Sequence, residues 1–264
     1  MTNLHKIFSD WNETQVMILE NHGIKVEIGY DSFWLDEGEL YWKLKPYFDK
    51  WKVKETVVSK FSAIEEDSAS LLVFSSPWAN GYPMPDIDNG FMKTTYDDTA
   101  YCNVCGMGLV QKEPFRLKTL PKWSGHKKIF SLNWVYDELF IHKEFYESYF
   151  KPMGIECMDV LLYRKDIIIE DTVQLIIPES GSSLMIEGYS FEVCKSCGRK
   201  RYDLINRGFF PPFKERQSVL NIFKSKEWFG TGANARKYIF INQSIRTELI
   251  DLKLKAGYIP CKEL

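Results

Sequence analysis

The spacing of apolar and polar positions changes along the chain and divides it into regions. In the first part it predicts a short amphipathic helix over 8–22, a strand over 24–30 and a second helix over 37–52. A Pro-, Gly-, Asn- and Asp-rich stretch over 75–90 predicts a loop. We therefore expect a separate N-terminal α+β region over residues 1–95.

After this region the same landmarks occur twice in the same order. Each copy has a Cys-x-x-Cys-Gly turn, an Ile-Phe segment followed by Trp, an apolar strand, an amphipathic helix, a Gly and a last Cys. Self-similarity of this kind indicates duplication. The landmark pairs are Cys102 and Cys194, Phe130 and Phe223, Trp134 and Trp228, Phe140 and Phe240, and Cys157 and Cys261.

The duplication predicts repeat 1 over 96–178 and repeat 2 over 179–264. In each copy a polar residue, His142 or Asn242, takes the helix N-cap position, and Gly154 or Gly257 is expected to end the helix. The predicted fold class is α+β. It has an N-terminal α/β region and two tandem βα repeats, each opening with a Cys-x-x-Cys-Gly zinc knuckle, and these share one four-cysteine zinc ribbon.

The sequence predicts that the six cysteines are in a reducing compartment. The 264 residues carry a formal net charge of -2, and no run of apolar residues is long enough for a transmembrane helix. The N-terminus also lacks the apolar segment of a secretory signal. We expect a cytoplasmic protein without membrane contact, in which close-spaced cysteines are more often metal ligands than disulfides.

The two Cys-x-x-Cys pairs predict one structural zinc ion held by Cys102, Cys105, Cys194 and Cys197. One pair supplies two thiolates, and a structural zinc site needs four ligands. A redox pair and a metal-free arrangement are the alternatives. Cys157 and Cys261 fit small buried residues on strands.

No spacing in the sequence predicts a catalytic centre. The four histidines form no metal-binding or nucleophile motif, and the loop Gly230-Thr-Gly-Ala-Asn lacks the Lys-Ser/Thr of a phosphate-binding loop. We expect a protein that is not an enzyme, with a site built from distant residues as an open alternative.

Two surfaces could bind a partner. The first is acidic and aromatic and suits a basic protein partner; it comprises Glu65, Glu66, Asp67, Trp78, Tyr82, Met84, Asp86, Asp88, Asp97 and Asp98. The second is a basic and aromatic cluster beside the second knuckle, a pattern typical of nucleic-acid binding; it comprises Lys195, Arg199, Lys200, Arg201, Tyr202, Arg207, Phe209, Phe210, Phe213, Lys214 and Arg216. A solvated charged face is the alternative for both.

The paired knuckles, with the strand, helix, Gly257 and last strand that follow the second, resemble the bacterial double-CxxCG motif family over about residues 95–264. Members of that family and its relatives are encoded beside polymorphic or contact-dependent toxins. The resemblance implies a toxin immunity or defence role, in which the protein binds and occludes a protein partner such as a cognate toxin. A zinc-ribbon nucleic-acid-binding protein is the alternative.

Overall fold

The computed structural model describes residues 1–76, 78–215 and 221–263, which form a mixed α+β protein. The chain divides into two units. Unit 1 comprises Met1–Ser68 with Ile205–Phe209, and unit 2 comprises Ala69–Leu204 with Phe210–Leu264. The division differs from the predicted boundary near residue 95, because the strand that begins at Leu71 belongs to the second unit.

Unit 1 is a three-stranded antiparallel sheet with helices. Its sheet order is β2-β1-β3. Its elements are β1 (Thr2–Trp11), α1 (Glu13–Glu20), β2 (Gly29–Asp36), α2 (Glu39–Trp51), β3 (Lys54–Lys60) and α3 (Ala63–Ser68).

The helix predicted over 8–22 is wrong in its first part, because residues up to Trp11 continue strand β1. Alternate residues of that strand, Ile7 and Trp11, are buried under the helices, which is the period of a strand. Asn12 then caps α1 by accepting the backbone N–H of Gln15, and the Gln15 side chain returns a bond to the Asn12 N–H. The helix predicted over 37–52 is confirmed as α2.

Unit 2 carries the duplicated landmarks. Its first elements are β4 (Leu71–Ser75), α4 (Phe91–Thr95), β5 (Tyr96–Asp97), β6 (Val110–Gln111), β7 (Arg116–Leu117), β8 (Ile129–Leu132), β9 (Val135–His142), α5 (Lys143–Phe145), β10 (Cys157–Leu162) and β11 (Ile167–Leu175). Its later elements are β12 (Phe191–Val193), β13 (Lys200–Tyr202), β14 (Ile222–Lys224), β15 (Trp228–Phe229), β16 (Ile239–Asn242), α6 (Gln243–Asp251) and β17 (Gly257–Pro260).

Two larger sheets of unit 2 have the same arrangement. The first has the order β7-β10-β11-β9-β8 and the second β14-β16-β4-β17. Each sheet contains two antiparallel strands that come after a knuckle in the sequence, β8 and β9 or β14 and β16. The second strand of this pair lies beside a central strand, β11 or β4. On the other side of the central strand lies the strand that comes after the helix, β10 or β17. The central strand of the first sheet, β11, directly follows β10 in the sequence. The central strand of the second sheet, β4, comes from before the first knuckle.

Equivalent aromatic rings occupy the same places in both sheets. Phe130 pairs with Phe140, and their rings stack with centroids 5.1 Å apart and planes at 11°. Phe223 pairs with Phe240, and these rings stack at 5.4 Å and 13°. All four rings are fully buried, so each sheet has the same aromatic pair in its core.

The helices that follow β9 and β16 differ. Asn242 caps α6 by accepting the Ile245 N–H at 3.1 Å, as predicted, whereas His142 makes no side-chain cap bond. After α5 the first copy continues as a π-helical turn over Tyr146–Phe150 and a 3-10 turn over Lys151–Met153, which contains Pro152. Proline removes an N–H donor, which favours this irregular ending.

Two landmark assignments need correction. Gly154 ends the first helical segment in a left-handed conformation as predicted, but Gly257 begins strand β17; α6 ends earlier, where Lys253 has a φ of 55°. Cys157 pairs with Leu175, and the matching position of the second sheet is Tyr258, which pairs with Phe74. Cys261 therefore lies three residues beyond the equivalent of Cys157.

No helix within the described ranges combines the length and the apolar character needed to cross a lipid bilayer.

Replacing Leu72 by Ala should destabilise the second sheet. Leu72 is fully buried on the central strand β4, so its truncation should lower the free energy of unfolding by about 2–5 kcal/mol. Chemical denaturation gives the value, and hydrogen exchange should show faster exchange of the β16 and β17 amides. Leu120→Ala, at a position 58% exposed, is the control and should change stability by less than about 0.5 kcal/mol. Equal effects of the two changes would contradict the placement of β4.

Candidate metal centre

Each Cys-x-x-Cys-Gly turn has the same backbone hydrogen bonds. In the first, the Cys102 N–H donates to Met107 O at 2.9 Å and the Gly106 N–H donates to Cys102 O at 2.8 Å. In the second, the Cys194 N–H donates to Arg199 O at 2.9 Å and the Gly198 N–H donates to Cys194 O at 2.8 Å. Gly106 and Gly198 have φ values of 78° and 72°, a region that glycine enters without steric cost.

The two turns bring four sulfur atoms together. Cys102 Sγ lies 3.7 Å from Cys194 Sγ, and Cys105 Sγ lies 3.6 Å from Cys197 Sγ. All four sulfurs lie within 4.8 Å of one another. Cys102, Cys105 and Cys194 are buried and Cys197 is exposed.

This spacing fits a tetrahedral thiolate site. A metal–sulfur distance of about 2.3 Å in tetrahedral geometry places the sulfurs about 3.8 Å apart. The observed 3.6 and 3.7 Å agree with that value and exceed the length of about 2.05 Å of a disulfide bond. The four residues could therefore hold one metal ion.

The turns also favour the thiolate form of the first cysteine of each pair. The N–H groups of Cys105 and Val104 lower the pKa of Cys102 to about 6. The N–H groups of Cys197 and Ser196 likewise lower the pKa of Cys194. Burial acts in the opposite direction on Cys105 and raises its pKa to about 12. A bound cation would offset this cost, because a metal ligand must be deprotonated.

Residues around the cluster join the two turns. Arg199, next to the second turn, donates from Nη1 to Ala100 O at 2.7 Å and to Met107 O at 3.1 Å, both beside the first turn. Gly106 lies so close to the loop after β15 that a Cβ atom there would be 2.2 Å from Gly232 O. The Gly230–Asn234 loop, excluded as a phosphate-binding loop, thus supports the first knuckle.

Neither turn begins a helix, unlike the redox pairs considered as an alternative. The first turn lies between the paired strands β5 and β6, and the second between β12 and β13. Cys157 and Cys261 lie on or beside strands outside the cluster. A metal site needs several His, Cys, Asp or Glu ligand atoms close together. Among the described residues, the four cysteines form a group of three or more such residues that is close enough to hold one ion.

The basic cluster predicted beside the second knuckle is largely engaged within the chain. Its pairs are Arg199 with the first knuckle, Arg201 with Glu192, Arg207 with Glu37, and Lys214 with Glu187, while Lys200 lies 3.7 Å from the ring centroid of Phe191. Phe210 and Phe213 are buried in the core. Arg216 lies outside the described residues.

The acidic residues predicted to form one surface fall into both units. Glu65, Glu66 and Asp67 belong to unit 1 and the rest to unit 2. Met84 is buried and Trp78 packs against the core, so neither is free for a partner. Tyr82 and Ile87 are 43% and 78% exposed.

The histidines show where sequence patterns were insufficient. His5, which belongs to no sequence motif, is 2% exposed and stacks on Tyr41 with centroids 3.9 Å apart. Its Nδ1 contacts the Glu55 carboxylate, which also accepts the Tyr41 hydroxyl at 2.8 Å. The alternation that buries Ile7 and Trp11 on β1 also buries His5, and the predicted elements did not include this strand.

No protein-family model, no curated protein and no solved structure matches this chain.

The two knuckle glycines should respond differently to alanine. A Cβ atom added at Gly198 would meet no other atom within 4 Å, so Gly198→Ala should cost about 1 kcal/mol from its left-handed φ alone. Gly106→Ala adds a contact with a backbone oxygen at 2.2 Å and should cost about 3 kcal/mol or more. Urea denaturation of both variants under the same metal conditions measures the difference. A Gly106→Ala protein as stable as Gly198→Ala would contradict the contact with Gly232.

Proposed function

We propose that Cys102, Cys105, Cys194 and Cys197 bind one structural Zn²⁺ ion as a shared zinc ribbon. The observation that carries this proposal is the convergence of four sulfurs at tetrahedral spacing. Zinc is the ion most typical of four-thiolate structural sites. Four thiolates leave no open coordination position, so the ion would hold the two turns together and would not act on a substrate.

We further infer that unit 2 arose by tandem duplication, with one strand exchanged between the copies. A repeat that starts at the central strand reads as strand, knuckle, strand pair, helix and last strand in both copies: from β4 to β10, and from β11 to β17. The first strand of each copy lies in the sheet of the other copy. The matching order of strands and the stacked Phe pairs support this interpretation.

On this framework, the protein is a non-enzymatic binding protein that occludes a protein partner, of the bacterial toxin immunity type. The paired Cys-x-x-Cys-Gly knuckles support this through their resemblance to the double-CxxCG motif family. The commitment of the basic cluster to contacts within the chain disfavours the nucleic-acid alternative.

The segment before the first knuckle offers a contact surface for such a partner. Ile87 is 78% exposed and lies beside the exposed carboxylate of Asp88; Asp97 and Asp98 are exposed on the same segment. An exposed apolar side chain among carboxylates suits a basic partner with an apolar pocket.

Metal analysis of the purified protein should give close to one zinc ion per chain, because the cluster has one set of four ligands. Cys194→Ser should lose the ion and with it the fold, since structural zinc contributes on the order of 10 kcal/mol. Mass spectrometry and circular dichroism measure both effects. Cys157→Ser, outside the cluster, is the matched control and should retain zinc and fold. A well-folded Cys194→Ser protein would contradict the proposal.

The partner proposal predicts that a toxin is encoded beside the gene for this chain and that the two proteins form a stable complex. Co-expression and size-exclusion chromatography should show co-elution, and Ile87→Ser should weaken binding about tenfold or more if this residue is an anchor. Ile167→Ser, a change at a position 54% exposed on β11, is the control. Failure of the wild-type chain to bind that toxin would refute the immunity role. An unchanged affinity in Ile87→Ser would refute the proposed surface.

A further inference from the structure

A cavity of about 490 Å³ lies in unit 2 beside the cysteine cluster. Its wall includes Gly106 of the first knuckle, and Trp228 and Ala235, which pack against the cysteines. This volume is within the range of small-molecule binding sites. Neither the proposed zinc site nor the proposed partner surface accounts for it.

Both landmark tryptophans of the duplication line this cavity. Trp134 comes from the first copy and Trp228 from the second. Phe91 lies in the same wall and stacks on Trp134 with centroids 6.1 Å apart and planes at 22°. Aromatic walls of this kind favour a flat ligand, because stacked rings gain contact area and favourable quadrupole geometry.

Trp134 is held in an unfavourable backbone conformation. Its φ is 68°, in the left-handed region that bulky side chains rarely adopt. The ring is fixed by Phe91 and by Tyr82, whose centroid lies 4.4 Å away. Backbone strain that neighbours maintain in this way clusters at binding and catalytic sites.

The cavity also has a buried polar side. The Glu138 carboxylate accepts hydrogen bonds from Lys224 Nζ and, at 3.0 Å, from Gln174 Nε2. Glu138 and Lys224 side chains are only 13% and 12% exposed. A buried ion pair is a poor source of stability compared with apolar packing. Both residues line the cavity, so their charged groups are within reach of a ligand there.

Spare hydrogen-bonding capacity points into the same region. Within the described part of the chain, the Lys224 ammonium donates to Glu138 alone, which leaves two of its three N–H groups for a ligand. Asp137 Oδ2 accepts the Lys237 N–H at 3.2 Å, and its other oxygen can accept from a ligand. The wall thus offers a donor and an acceptor.

The charges of the wall disfavour an anionic ligand. Three carboxylates, of Asp137, Glu138 and Glu179, line the cavity together with two ammonium groups, of Lys224 and Lys237. Burial raises the pKa of Glu138, and the neighbouring Asp137 acts in the same direction while Lys224 opposes it. Whether or not Glu138 is ionised, the wall has no excess positive charge to bind a phosphate.

We propose that this cavity binds a planar, uncharged nitrogen heterocycle of the nucleobase or nucleoside class. The ring packs against the aromatic wall that includes Trp134 and Trp228, and its edge accepts a hydrogen bond from Lys224 and donates one to Asp137. The site is independent of the proposed protein partner and can be tested without it.

Isothermal titration calorimetry of the zinc-loaded full chain with adenosine, guanosine, cytidine and uridine tests the proposal. At least one nucleoside should bind with a dissociation constant on the order of 100 µM or tighter. Trp134→Gly should weaken that binding about tenfold or more through loss of the aromatic contact. Glycine is favoured at a φ of 68°, so this variant should keep its fold. Lys224→Met should weaken binding to a similar extent.

Lys214→Met removes a lysine that pairs with Glu187 outside the cavity, and it should leave the affinity unchanged. The 5′-monophosphates should bind more weakly than the nucleosides. The proposal is overturned if no nucleoside binds at about 1 mM, if Trp134→Gly binds as well as the wild type, or if the monophosphates bind more tightly. If Lys224→Met does not fold, the Trp134→Gly result decides.

Discussion

The convergence of two distant cysteine pairs is the constraint on which the rest of unit 2 depends. Their sulfurs lie within 4.8 Å of one another although each pair sits in its own turn. Arg199 beside the second turn donates to Ala100 O beside the first turn, and the loop at Gly232 packs against Gly106 of the first turn. Both contacts require the two turns to lie close together. A bound cation at this point would fix the two halves through four strong bonds, whereas four neighbouring thiolates without one would repel each other.

In the proposed duplication, the exchanged strands β4 and β11 hold the two copies together, as the cysteine cluster does. β4 supplies the centre of the second sheet and β11 the centre of the first, so neither sheet is complete within its own proposed repeat. The cysteines join the two turns, and β4 and β11 join the two proposed copies. The cavity with Trp134 and Trp228 lies beside the cysteine cluster.

Local patterns predicted the parts of this structure that depend on local chemistry. The cysteine spacing predicted which side chains meet, because two residues between ligands and a following Gly specify the turn. Asn242 was predicted as a cap because its side chain acts within one helical turn. The partner of β4 could not be predicted in this way, since its apolar residues fit any buried strand and its neighbours lie far along the chain. The sequence marked Phe130, Phe140, Phe223 and Phe240 as landmarks. Their contacts could be assigned only from the strand register, which pairs Phe130 with Phe140 and Phe223 with Phe240.

The position of β4 has a consequence for synthesis of the chain. Leu71–Ser75 is synthesised long before its two neighbours, β16 and β17, which lie far along the chain. During that interval a run of Leu, Leu, Val and Phe has no native strand beside it, and such segments associate readily with other unpaired strands. Completion of the second sheet is therefore a long-range step that must wait until β16 and β17 have been made.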